Sequence, residues 1–252
     1  MIKKEDFFSF QNTVKKLSAD DVNQTSNYLE PIKAFARATN QSVYIIDYKA
    51  KGFEYVSDNP LFLCGHSARK VQEMGYEFYL KYAPEKDQEL LLKINTIGFD
   101  FYEKILVKER KDYTISYDFH LKNQEKKSIL INQKLTPLFL TEDGKIWKAL
   151  CLISLSTANE SGNICIYKKG GNTVFQYDLK GSFWSTNESI SLSQREKEIM
   201  QLSSRGFTVS EIAEAIFLSP DTVKFHKRKL FEKLAVSNLA EAIAFCTNNR
   251  LL

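Results

Sequence analysis

Between Asp221 and Lys233 five basic residues, Lys224, Lys227, Arg228, Lys229 and Lys233, stand against two acidic ones, Asp221 and Glu232. Ammonium and guanidinium groups at that density can neutralise phosphates and donate to guanine O6 and N7. A phenyl ring such as that of Phe225 can rest against a thymine methyl group. Just upstream, Ser219 and Thr222 offer hydroxyls which, beside free amides at a helix start, can hold a phosphate. The chemistry indicated is recognition of nucleic acid. Catalysis has no comparable support, because the chain contains no Gly-rich phosphate loop, Gly-x-Ser-x-Gly elbow or His-Glu-x-x-His. Isolated carboxylates such as Asp118 and Glu142 suit turns or solvent, so no catalytic residue and no enzyme activity is expected.

A helix must present those cations outward. At about 100° per residue, Val223, Leu230 and Leu234 fall on one side with His226 at its margin, while Lys224, Phe225 and Arg228 fall on the other. Basic helix faces are commonly just solvated. An outward ring beside Lys and Arg, directly after a capped turn, separates this one from that group.

The surrounding text is dense with helix punctuation. Ser193 with Glu196, and Thr208 with Glu211, are capping boxes in which hydroxyl and carboxylate satisfy orphan amides reciprocally. Gly206 suits the left-handed residue that closes a helix. Ser219-Pro220 places an N-cap before a proline at N1, and Ser237 is expected to cap a fourth helix. Ile199 and Leu202, then Ile212, Ala213 and Ile216, then Val223, Leu230 and Leu234 supply faces for a shared core. Phe217-Leu218-Ser219 is the short connection a helix-turn-helix needs.

Leu192-Ser193-Gln194-Arg195-Glu196, Gly206, Ser210-Glu211-Ile212-Ala213, Leu218 to His226 and Lys233-Leu234 together resemble the LuxR-type helix-turn-helix signature over residues 188–252. The resemblance implies that residues 208–227 form the helix-turn-helix proper and that Lys224, Phe225 and Arg228 occupy base-reading positions. Phe225 is bulkier than the small aliphatic often found there. The resemblance further implies a fourth helix that dimerises, for which Ala240, Ala242, Ile243, Ala244 and Phe245 offer small and apolar surface.

The remaining chain is long enough for a second domain. Residues 1–41 are expected to be a helical segment, with Val14, Leu17, Leu29, Ile32 and Phe35 on one face. From residue 42 to 157 the pattern changes to a hairpin around Lys51-Gly52, a helical middle opened at its longest by Pro84, and three strands. In the first of these, Tyr113, Ile115, Tyr117, Phe119 and Leu121 alternate with polar residues. A mixed, mainly antiparallel sheet follows, and an α+β fold class. Residues 158–187, rich in Gly, Asn, Ser and Thr, are expected to form an accessory hairpin and linker.

The run Phe53 to Pro60, then Leu63-Cys64-Gly65-His66-Ser67 and Pro84-Glu85-Lys86-Asp87, resembles a PAS domain. Such domains bind small molecules, sense through cofactors or mediate contacts. Cys64 lacks the Asn-Cys-Arg surroundings of a flavin-reactive cysteine, and residues 86–106 contain no histidine for a haem. His66 and His120 lack ligand spacing. The four cysteines are scattered with no Cys-x-x-Cys pair, so free thiols are expected, and no metal or tightly bound cofactor. A charge of +4 alone decides nothing.

The start, Met1-Ile2-Lys3-Lys4-Glu5-Asp6, does not resemble a signal peptide, and the apolar stretch near 146–155 is interrupted by Lys148 and too short to span a bilayer. A cytoplasmic one-component transcription regulator is the expectation. Its expected partners are double-stranded DNA, a second copy of the chain, a small molecule of unidentified structure and RNA polymerase, with no membrane. The alternative is a response regulator with a phosphoryl-accepting receiver, suggested by Asp20-Asp21, Asp47 and Lys104. It conflicts with the helical text before Asp20 and the alternating strands after Tyr113.

Overall fold

A computed structural model describes residues 2–9, 11–19, 28–249 and 251–252. The β-favouring runs around Lys51-Gly52 form the hairpin β1 (Ser42–Asp47) and β2 (Gly52–Val56). Four helices follow: α2 (Pro60–Leu63), α3 (Ala68–Met74), α4 (Glu77–Tyr82) and α5 (Glu85–Glu103). Pro84 sits at the N-cap of α5, with Glu85 and Asp87 in the first turn. The three long strands are β3 (Tyr113–Lys122), β4 (Ser128–Leu140) and β5 (Ile146–Leu155). They lie in one sheet of order β2-β1-β5-β4-β3, every pairing antiparallel. Hairpin, helices and three strands thus assemble as the PAS-like α+β arrangement expected.

The residues read as the inward face of β3 are buried from Ile115 onward, but Ser116 and Asp118 between them are buried as well, so burial along the strand does not alternate as the sequence does. Ile115, Tyr117, Phe119 and Leu121 join Tyr44, Ile46, Ile131 and Ile153 in a core under α2–α5. Asp87 ties α5 to this sheet, its Oδ2 accepting from the His120 amide at 2.7 Å and lying 2.9 Å from His120 Nδ1. Gly98 lets α5 approach β3, since a Cβ there would stand 3.2 Å from Ile115 Cδ1. Lys148, which interrupts the apolar run, is only 5% exposed. Glu54 at 2.8 Å and Asp47 at 3.8 Å compensate its charge.

Two expectations need correction. Among the described residues of 1–41, the segment is helical only in part. The α-helix α1 (Leu29–Ala38) forms, but a 3-10 turn covers Lys4–Phe7 and residues 13–18 have no regular structure. Side-chain bonding competes with the helix here: Asn12 Oδ1 accepts from the Ser9 amide at 2.6 Å and its Nδ2 donates to the Phe7 carbonyl at 2.6 Å. Phe7 and Val14 are buried in the core from this irregular segment.

The stretch 158–187 contains the expected hairpin, but its strands continue the main sheet instead of forming an accessory element and linker. β6 (Gly162–Lys168) pairs with β3, β7 (Thr173–Asp178) pairs with β6, and β8 (Phe183–Glu188) comes next in the same eight-stranded sheet. Aromatic residues outweigh the polar composition: Phe175 and Trp184 each place a ring 5.0 Å from that of Phe101 on α5.

The chain divides into two compact units, Met1–Asn187 and Glu188–Leu252. The second contains α6 (Gln194–Ser204), α7 (Val209–Ala215), α8 (Pro220–Leu234) and α9 (Leu239–Asn248). Among the described residues no helix is long and apolar enough to cross a membrane.

Phe7 is 3% exposed. Phe7→Ala should lower the stability of the first unit by about 3 kcal/mol, measured by urea denaturation followed through tyrosine and tryptophan fluorescence. A loss below about 0.5 kcal/mol, the scale of surface substitutions, would show the N-terminal segment to be detached from the core.

Candidate nucleic-acid interface

Each helix of the second unit begins where its cap places it. Glu196 Oε2 accepts from the Ser193 amide at 2.7 Å while Ser193 Oγ accepts from the Glu196 amide at 3.3 Å. Glu211 and Thr208 repeat the arrangement at 2.7 and 3.3 Å. Ser219 Oγ accepts from the Thr222 amide at 3.2 Å and lies 2.8 Å from Thr222 Oγ1. The fourth cap is Asn238 rather than Ser237. Asn238 has the extended backbone of an N-cap, and its Oδ1 accepts from the Glu241 amide at 2.9 Å. Ser237 contributes only its amide, to Glu241 Oε2.

The turn between α7 and α8 is tight. Leu218 donates its amide to the Ala213 carbonyl at 2.8 Å, and Phe217 adopts a left-handed φ of 56°. Phe217 is 94% exposed, although its place in the sequence marks it only as a connection. A bulky residue next to a turn gives no periodic signal that would reveal such exposure.

Two small cores hold α8. Val223 packs with Ile199, Ile212 and Ala213, whereas Leu230 and Leu234 pack with Leu192, Met200, Ala242 and Cys246. With that stripe buried, Lys224, Phe225 and Arg228 project outward together. Phe225 is 49% exposed, and the Arg228 guanidinium lies over its ring at 5.6 Å. Lys224 is 3.0 Å from Asp221, and Lys229 is 2.9 Å from Glu232, both pairs solvent-exposed and exchangeable. Ser219 and Thr222 sit at the N-terminus of the same helix, where the dipole favours an anion.

The other two lysines are less exposed. Lys227 is half-buried and lines a groove together with Lys224, Arg228, Phe231 and Val236. Lys233 bonds Glu196 Oε2 at 2.8 Å and so links α8 to α6. Its position three residues after Leu230 places it beside the buried stripe, which the helical spacing could have shown. On α9, Ala242 is buried and Ile243 and Phe245 pack against the same core, leaving Ala240 and Ala244 exposed.

In the first unit the candidate ligand residues are engaged separately. His66 Nε2 bonds the Tyr82 hydroxyl, His120 bonds Asp87, and burial pushes the Cys64 thiol up to about 12. Among the described residues no group of three or more His, Cys, Asp or Glu is placed to hold a metal.

Two capped helices joined by a short turn, the second set outward by a fixed apolar stripe, define a helix-turn-helix of the DNA-binding kind. Residues 190–246 match the family described as bacterial regulatory proteins, luxR family, and the second unit is a LuxR-type helix-turn-helix domain. It is 39% identical over 66 residues to the CsgBAC operon transcriptional regulatory protein of Escherichia coli (strain K12), covering 26% of this chain and 31% of that protein. It is 38% identical over 69 residues to the oxygen regulatory protein NreC of Staphylococcus carnosus (strain TM300), covering 27% and 32%. The match therefore spans about a third of these relatives' length. Over 88% of both chains the Vibrio cholerae VqmA dimer in the absence of target DNA shares 15% identity at a TM-score of 0.36. The PAS domain of the fruit-fly ELK potassium channel shares 13% identity over 53% of this chain and all of that one, at a TM-score of 0.38.

Partial burial opposes ionisation of Glu196, yet the Lys233 ammonium and the Ser193 amide and hydroxyl hold its carboxyl below the usual carboxylate range. A carboxyl depressed by folding stabilises the fold above its unfolded pKa of about 4.5, and that contribution disappears as pH falls through the folded value. The melting temperature of the second unit should therefore drop below pH 4.5, and Glu196→Gln should flatten the drop. An unchanged pH profile in the variant would remove Glu196 from this role.

Proposed function

We propose that the chain is a sequence-specific DNA-binding transcription regulator of the one-component kind. In this reading the PAS-like unit senses a small molecule or dimerises, and the LuxR-type unit reads the operator. The observation that carries it is the outward set Lys224, Phe225 and Arg228 on a helix whose rotation is fixed from behind. Lys224 and Arg228 donate to guanine edges and Phe225 meets a thymine methyl. Ser219, Thr222 and the first amides of α8 hold a phosphate, with Lys227 and Lys229 adding sequence-independent attraction.

The partners in this reading are double-stranded DNA, a second copy of the chain through the exposed Ala240 and Ala244 face of α9, and RNA polymerase. The site of action is the cytoplasm, and no catalytic step or bound metal is involved. Dimeric binding implies half-sites about one helical turn apart. The antiparallel sheet supports this reading over a phosphoryl-accepting receiver, which is built on a parallel one. Asp47 ends β1, whose two neighbours are both antiparallel to it. Asp20-Asp21 lie outside the described residues.

Selection of a binding sequence from random DNA, followed by fluorescence anisotropy, tests the assignment. Lys224→Ala and Arg228→Ala should each weaken the selected site by about 1–3 kcal/mol while sparing random DNA. Lys229→Ala should weaken all sequences alike and lower the salt slope by about 1. Equal losses on selected and random DNA for all three would overturn the base-reading role, and failure to enrich any sequence would overturn the regulator reading.

A further inference from the structure

The first unit contains a partly open cavity of about 50 Å³ between α5 and the core face of the sheet. Apart from the amides of Asn95 and Gln133 its walls are aliphatic and aromatic, and none of its lining residues is Asp, Glu, Lys, Arg or His. Tyr48, Tyr76, Tyr79, Tyr102 and Tyr117 bring phenols to it. Burial first, then neighbouring groups, push the Tyr48, Tyr79 and Tyr117 phenols well above their ordinary range, so each stays protonated and uncharged.

Gln133, in the middle of β4, lines this cavity and is 1% exposed. Its Nε2 donates to the Tyr117 hydroxyl at 2.6 Å and lies 3.8 Å from Cys151 Sγ. Among the described residues no donor reaches Gln133 Oε1. Hydroxyls of this core are engaged with other groups: Tyr44 and Tyr79 bond each other, Tyr76 bonds Tyr48, and Tyr102 donates to the Tyr113 carbonyl at 2.9 Å. A buried amide oxygen without a donor is destabilising, while a leucine or methionine of similar volume carries no such penalty. Packing alone therefore does not account for glutamine at this position.

We propose that the cavity binds a small uncharged molecule and that Gln133 Oε1 recognises it by accepting a hydrogen bond from its N–H or O–H group. The proposal deepens the sensing role given above to this unit and is independent of the DNA contacts. An ion is disfavoured because its charge would be buried with no opposite charge beside it. A cavity of about 150 Å³ admits benzene, so this smaller one suits a molecule of a few non-hydrogen atoms. The Tyr117 hydroxyl, already accepting from Nε2, keeps its own hydrogen for an acceptor on the same molecule.

Acetamide and acetone make a matched pair of probes, alike in size but only the first with a donor. The full chain is titrated with each while its melting temperature and the side-chain amide resonances of Gln133 are followed. Acetamide should raise the melting temperature saturably, shift those resonances, and bind roughly fivefold or more tightly than acetone, the increment of one neutral hydrogen bond. Gln133→Leu should abolish the acetamide effect without lowering the melting temperature of the unliganded chain. Equal responses to the two probes, no response to either, or an acetamide shift that survives in Gln133→Leu would each overturn the proposal and leave water as the partner of Oε1. The resonance shift in the unaltered chain decides the matter even if the variant folds poorly. Anisotropy on selected DNA, run in parallel, reports separately on the regulator reading.

Discussion

Helix α8 is clamped at both ends of a single apolar stripe. Val223 enters one small core, Leu230 and Leu234 enter another, and no rotation of the helix satisfies both clusters except the one observed. A turn of one residue, about 100°, would drive Lys224 toward Ile199 and Ile212 and leave Val223 in water. Such burial of an unpaired ammonium costs several kcal/mol. Everything outward on α8 is outward because of what is held inward. The caps at Ser193, Thr208 and Ser219 serve the same end by fixing where each helix begins.

The first unit solves a different packing problem. One face of an eight-stranded sheet is covered by α2–α5, and most charged or amide groups buried in the unit have a partner. Asp87 meets His120, and Lys148 meets Glu54 and Asp47. Asn12 bridges the N-terminal segment to the Phe7 carbonyl and to Asn95 Oδ1 at 3.3 Å. Among the described residues of this unit, two buried side-chain atoms break the pairing, Gln133 Oε1 and Trp147 Nε1. The aromatic content of the unit supplies most of the remaining filler, with Tyr44 stacked on Phe62 at 4.4 Å and Phe53, Tyr76 and Tyr79 clustered beside them.

Much of this was legible where local and tertiary preferences agree. The strand period of Tyr113 to Leu121, the Lys51-Gly52 turn and the capping boxes each state a geometry that the fold then uses. Legibility failed where a side chain answers to a distant partner. Asn12 takes the Ser9 amide and the Phe7 carbonyl from a helix, and Phe175 and Trp184 find Phe101 across the fold, facts with no local spacing to announce them. In the interface the outward triad was readable from period alone. Lys227 and Lys233 were grouped with it by charge, although their angles place them on the flanks. Gln133 sits in a strand whose alternation marks it as inward, and only three dimensions show that its oxygen is left without a donor.

Gly98 gives the first unit a property that its neighbours do not. It lines the cavity from α5, and the nearest atom of the facing strand stands where a methyl group would press on it. Any larger residue must push the helix outward or shave space from the chamber. The size limit of what this chamber admits is thus set by the missing side chain at one helical position. Selectivity by shape and selectivity by polarity can therefore drift independently, the first at residue 98 and the second at residue 133.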